Sequence, residues 1–149
     1  MRTLILGIGN PILTDDGVGI RIAEKLKEAK PYLDTIETSG AGMDLLDLIV
    51  GYDRLIIVDS IITKKGKPGD LYRLELEDLK PMMNSSSSHS IDIVTAVKIG
   101  ERLGYKLPES VSIYAVEIED NTTFGERCTQ EVEKRIPSIA KQIIRKEKL

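Results

Sequence analysis

The sequence predicts an α/β protein: a three-layer α/β/α sandwich on a mostly parallel, twisted sheet of about five strands, one of them an antiparallel edge strand. Three observations predict it. Short continuous apolar runs alternate with segments of helical periodicity almost from end to end. The first run, TLILGIG, is continuous and ends in glycine, as expected of a strand buried on both faces. One later run alternates apolar with polar residues instead, which suits a strand with one solvated side.

The elements follow in order. TLILGIG (residues 3–9) is an apolar run closed by glycine, read as a strand buried on both faces. GVGIRIAEKLKEAK (17–30) sets Val18, Ile22, Leu26 and Ala29 on one helical face, with Pro31 just beyond. TIET (35–38) reads as a short second strand, SGAG (39–42) as a turn and MDLLDLIV (43–50) as a helix. DRLIIVDSI (53–61) carries four consecutive apolar residues, Leu55 to Val58, and is the clearest buried strand. KKGKPGD (64–70) is a turn, and DLYRLELE (70–77) is the alternating edge strand. SIDIVTAVKIGERLG (90–104) is an amphipathic helix with Gly104 near its C-terminal end. SVSIYAVEI (110–118) is the last strand, and from Gly125 onward a helical reading runs to a basic end.

The chain has 149 residues, a length that fits one domain, 1–149, with a single core. A net charge of −3 supplies no basic surplus for nucleic acid or anionic membrane. The single cysteine, Cys128, excludes an internal disulfide and a multi-cysteine zinc site. It falls in a stretch read as helical and is assigned to packing. No apolar run approaches the ~20 residues of a membrane span, and LILGIG is too short for the core of a signal peptide. The expectation is a cytoplasmic monomer.

Three loops carry candidate chemistry, and in such folds sites form outside the C-terminal ends of the strands. GIGNPILTDDGVG (7–19) follows the first strand. A dinucleotide loop would bring a third glycine against the pyrophosphate, but here the helix opens with Asp15 and Asp16, which repel phosphate. A helix N-cap explains one aspartate and leaves the second for a cation or a polarised group. Asp59 closes LIIVD, where α/β enzymes keep catalytic or metal-binding acids; the plain reading is a turn aspartate bonding nearby N–H groups. SSSSHSID (85–92) holds the only histidine, His89, after a polar loop and just before a helix. Two carboxylates and one imidazole form an oxygen/nitrogen donor set for a divalent transition metal, completed by water or substrate.

GIGNPILTDDGVGIRIAEKL, TSGAGMDLL, LIIVDSI and SSHSIDI, in this order and spacing, together resemble the hydrogenase maturation endopeptidases. The resemblance implies a metal-guided, aspartyl-type endopeptidase that trims a short C-terminal extension from the precursor of a nickel–iron hydrogenase large subunit. It implies nickel carried by that precursor and no organic cofactor. It places Asp16, Asp59 and His89 at the site, as catalytic groups and metal ligands, and Asn10, Asp15, Gly40, Ala41 and Gly42 in contact with substrate. Two departures stand out. Several relatives have glutamate where Asp16 stands, and often glycine where Asp92 follows the histidine.

Two rival readings were weighed. GIGNP also resembles the opening of the peptidyl-tRNA hydrolases, but that family has a histidine–asparagine pair shortly after the loop, where this chain has Asp15-Asp16-Gly17. A tRNA substrate also calls for lysine and arginine that the acidic charge balance lacks. A non-catalytic metal- or hydrogenase-binding chaperone would use the same ligands without cleavage, and ligands alone do not separate it from an enzyme.

Overall fold

The computed structural model describes residues 1–40, 43–79 and 91–149, with Ile91 described by its backbone only. Five strands form one sheet: β1 (Thr3–Ile8), β2 (Asp34–Thr38), β3 (Arg54–Ile61), β4 (Leu71–Leu74) and β5 (Ser110–Glu117). Their order across the sheet is β2-β1-β3-β5-β4. The first four of these neighbours run parallel, and β4 lies antiparallel against β5 at the edge. The mostly parallel sheet with one antiparallel edge strand is therefore as expected.

Strand pleating explains the three layers, because successive side chains point to opposite faces. Ile5, Ile56, Val58, Tyr114 and Val116 pack with residues of α1 (Val18–Ala29) and α6 (Ile136–Glu147). Leu4, Leu6, Ile8, Leu55, Ile57 and Ile113 pack on the other face with α2 (Met43–Ile49) and α4 (Ile91–Leu103). Burying each Leu, Ile or Val contributes about 2 kcal/mol, which makes these two interiors the main source of stability. α3 (Leu76–Leu79) and α5 (Gln130–Glu133) are single turns.

Two segments differ from expectation. The alternating run 70–77 stays strand only to Leu74, because α3 begins at Leu76. Residues 125–129 are not helical: Gly125 bridges to Leu13 instead, and α5 starts at Gln130. Cys128 consequently sits in a connecting segment, still buried. The Gly104 expectation holds, with a φ of +76° just beyond α4.

The C-terminal helix is locked by a buried acid. Glu147 accepts hydrogen bonds from Tyr114 Oη at 2.5 Å, Arg54 Nη2 at 2.7 Å and Ser112 Oγ at 3.2 Å. Burial pushes its carboxyl up, but the hydrogen bonds from Tyr114 and Arg54 and the Arg54 charge outweigh it, leaving Glu147 below the usual carboxylate range. A depressed folded-state value gives stability that is present above the unfolded-state value and lost as pH falls through the folded one. Glu147→Gln should cost about 3 kcal/mol, the scale of breaking one side of a buried ion pair. It should also flatten the acid limb of a melting-temperature-against-pH curve. An unchanged acid limb in that variant would remove Glu147 from this role.

Candidate functional site

The chain leaves β1 toward β2 on one side, and β3 lies on the other, so the order reverses between β1 and β3. In open parallel sheets the crevice outside the strands' C-terminal ends at such a reversal is the usual ligand site. Here the reversal sets the loop after β1 beside the end of β3.

The loop after β1 ends in a single 3-10 turn, Thr14–Gly17, that leads directly into α1. It packs against β3 because glycines remove the side chains that would hold it off. Gly9 has a φ of +154°, and a Cβ there would lie 2.1 Å from the Asp16 carbonyl oxygen. A Cβ on Gly19 would lie 2.3 Å from the Val58 carbonyl oxygen, in the residue before Asp59. The glycines thus bring α1 and its preceding turn onto the end of β3, where a phosphate loop would have left room for a ligand.

Asp16 is almost fully buried at this turn, 7% exposed, and its Oδ2 accepts the Asn10 N–H at 2.9 Å. Asp59 is fully buried in β3, beside Ala115 of β5, and its Oδ1 accepts the Ser60 N–H at 2.7 Å. That local bond matches the plain reading, but the strand continues to Ile61, so Asp59 is not a turn residue. By the pleat it belongs to the face of Leu55 and Ile57, the face that α2 and α4 cover. The structure thus brings both acids to the C-terminal edge of the two central strands.

α4 also points to this edge. The connection after it lies at the opposite end of the sheet, where Gly51 N–H meets the Lys106 carbonyl at 3.1 Å and Glu109 N–H meets that of Asp53 at 2.9 Å. α4 therefore begins at the edge where Asp59 lies. His89 precedes α4 by two residues and lies outside the described residues, as do Ala41 and Gly42. Gly40 follows β2 at the same edge, with its N–H donating to Thr38 Oγ1 at 2.8 Å. Among the described residues no group of three His, Cys, Asp or Glu side chains is placed to hold a metal ion.

Asp15 corrects the capping reading. Neither it nor Asp16 caps α1, whose N-cap is Gly17 with no side-chain cap bond. Asp15 is fully buried, and its carboxylate accepts N–H groups of Glu119, Asp120 and Thr129 at 3.0, 3.0 and 2.7 Å. Asn10 spends its side chain on its own loop, with Oδ1 accepting the Ile12 N–H at 3.1 Å. The segment 119–129 that receives Asp15 was not singled out from sequence. Its first part, residues 119–124, is rich in Asp, Asn and Thr, turn chemistry that reads only as a loop until its partner is seen.

Cys128 is held off from reactivity. Burial, then the Asp15 charge, pushes its thiol up to about 12, so the nucleophilic thiolate is not populated near neutral pH. Its Sγ lies 3.8 Å from the Thr14 carbonyl oxygen. A cavity of about 620 Å³ lined by Pro11, Ile12, Arg21, Glu126, Arg127 and Glu133 opens on the α1 and α5 side of this loop. Neither Asp16 nor Asp59 lines this cavity.

The fold is that of a doubly wound α/β protein, with two buried aspartates near the C-terminal edge of its central strands. A family model described as hydrogenase maturation protease matches residues 20–146. The chain is 35% identical over 114 residues to the hydrogenase 2 maturation protease of Escherichia coli, covering 72% of this chain and 70% of that one. It superimposes on the Escherichia coli hydrogenase-maturating endopeptidase HybD with a TM-score of 0.82 at 30% identity, over 99% of this chain and 94% of that one. A [NiFe] hydrogenase maturation protease from Thermococcus kodakarensis matches with a TM-score of 0.68 and 25% identity, over 99% of each chain. The chain belongs to the hydrogenase maturation protease family. Its named relatives are proteases and endopeptidases, which makes it a hydrolase. Among the described residues no helix is long and apolar enough to cross a membrane.

Proposed function

We propose that this protein is the endopeptidase that removes a short C-terminal extension from the precursor of a nickel–iron hydrogenase large subunit, in the cytoplasm, after nickel has been inserted. The observation that carries the reading is the pair of buried acids, Asp16 after β1 and Asp59 in β3, at the switch point. A family of proteases with acids in that crevice calls for a peptide bond there and a charge for the acids to meet.

The proposed donor set is Asp16, Asp59 and His89, two oxygens and one imidazole nitrogen, a set that suits a borderline divalent cation. Nickel belongs to the substrate in this reading, and it polarises the scissile carbonyl or lowers the pKa of a bound water. The protein's own part is positional. Asp59, fixed in a strand and fully buried, supplies one carboxylate, and Asp16, on the turn before α1, supplies the second. A carboxylate so placed accepts the proton of the attacking water as peptide hydrolysis proceeds.

Incubating the purified chain with nickel-loaded precursor, read by mass spectrometry, tests the function. The expected result is release of a C-terminal peptide. Stable binding without any mass loss would favour the maturation chaperone instead. The same assay bears on the cysteine. Cys128→Ser should cleave at the normal rate and lose about 1 kcal/mol of stability, because a hydroxyl replaces a thiol in an apolar setting. A normally folded but inactive variant would return the thiol to the mechanism.

A further inference from the structure

We propose that Asp15 is the positioning residue of the candidate site: its carboxylate anchors the 3-10 turn to the segment after β5 and thereby holds Asp16 at the crevice. The inference rests on the role of Asp16 proposed above.

The surroundings of Asp15 are all donors. Oδ2 accepts the N–H groups of Glu119 and Asp120, each at 3.0 Å, and the Thr129 hydroxyl at 2.8 Å. Oδ1 accepts the Thr129 N–H at 2.7 Å. Only a group that accepts at both oxygens satisfies three N–H groups and a hydroxyl, and an ionised carboxylate is that group. Its own N–H donates to the Asp120 carbonyl at 2.9 Å, so side chain and backbone are tied to the same segment.

The rest of the loop is stitched to that segment as well. Thr14 N–H donates to the Gly125 carbonyl at 3.1 Å, Gly125 N–H to that of Ile12 at 2.9 Å, and the Thr14 hydroxyl to that of Thr123. Arg21 Nη2 donates to the Pro11 and Glu126 carbonyls, bridging the two strips. The receiving segment is itself ordered. Asp120 accepts the N–H groups of Thr122 and Thr123 at 2.9 and 3.0 Å, and these bonds hold its carboxyl down to about 2.

Backbone strain shows what this anchoring does. Thr14 has a φ of +51°, in a region where a β-branched residue is rare. Such strain persists only where the surroundings over-determine the conformation. Thr14 immediately precedes the two acids. In a 3-10 turn, three residues complete a revolution, so fixing one side chain places the next about 120° around the axis. With Asp15 turned into the 119–129 segment, Asp16 is turned toward Asn10, whose N–H meets its Oδ2 at 2.9 Å. A purely stabilising anchor would hold the loop without setting this direction.

The test compares Asp15→Asn, Thr129→Val and Thr129→Ser in the full chain, by steady-state cleavage of nickel-loaded precursor and by amide hydrogen exchange at Asn10. Asparagine turns an NH2 group toward donors, so the anchor fails while size is kept. Asp15→Asn should lower kcat about 100-fold, the scale of a small misplacement at a reacting centre. KM should move by less than about threefold, and the Asn10 amide should lose protection. Thr129→Val should shift both readouts the same way by less, and Thr129→Ser, which keeps the hydroxyl, should restore them. A lowered melting temperature with kcat and Asn10 protection intact would overturn the proposal and leave Asp15 a stabilising residue. If Asp15→Asn does not fold, the Thr129 pair decides by the same readouts. If the unmutated chain does not cleave the precursor, the proposed function fails, whereas Asn10 exchange, which needs no substrate, still decides the positioning.

Discussion

Asp59→Asn and Asp16→Asn should each lower the rate of precursor cleavage by about 10²–10⁴-fold, the range that a positioned acid–base group contributes. The substitution keeps the size of the side chain and removes its charge. It also keeps an acceptor oxygen for the bonds described: the Ser60 N–H on Asp59 and the Asn10 N–H on Asp16. The fold should therefore survive, with circular dichroism spectra unchanged and thermal unfolding still cooperative. His89→Ala should match them in rate loss. A rate close to normal in either asparagine variant, measured under substrate-limiting conditions, would remove that acid from the mechanism.

Metal-free precursor is the second case with a large expected effect. Three protein ligands, two of them carboxylates and only one a nitrogen donor, are few for tight binding of nickel. The cation should therefore arrive already held by the precursor, and cleavage should require it. Precursor prepared without nickel should be cut at least about 100-fold more slowly, because polarising a carbonyl is worth several kcal/mol and about 1.4 kcal/mol is a factor of ten. Reconstitution with nickel should restore cleavage, and reagents that trap serine or cysteine nucleophiles should leave it unaffected. Equal rates on loaded and metal-free precursor would retire the substrate-borne cation and leave the two acids as an ordinary acid–base pair.

The same two acids show where reasoning from sequence succeeds. Asp59 was expected at a sheet edge because it closes an apolar run, and strand burial is local information: four apolar residues in succession require cover on both faces. Asp16 was singled out because two carboxylates are poor neighbours for a phosphate at a helix start. The edge placement of β4 came from its alternation, since a strand with one solvated side shows period two. Each of these rests on a physical preference that neighbouring residues express without help from the rest of the chain.

Asp15 shows where it stops. Adjacent aspartates are equivalent in a sequence, yet one is sealed against Glu119, Asp120 and Thr129 while its neighbour turns toward Asn10. Nothing within the loop distinguishes them, because the donors that separate their roles stand more than a hundred positions away. The non-helical course of residues 125–129 has the same cause. A bridge from Gly125 to Leu13 and the hydrogen bonds around Thr14 outbid the local helical preference of that stretch. The sequence alone set the strands, most of the helices and the placement of Asp16 and Asp59 after or late in the central strands, because those depend on burial periodicity and on charge. Tertiary structure decided which aspartate is sealed against residues 119–129 and which accepts the Asn10 N–H, because hydrogen-bond partners are chosen by proximity in space and a loop's donors are satisfied only once the fold brings their acceptors near.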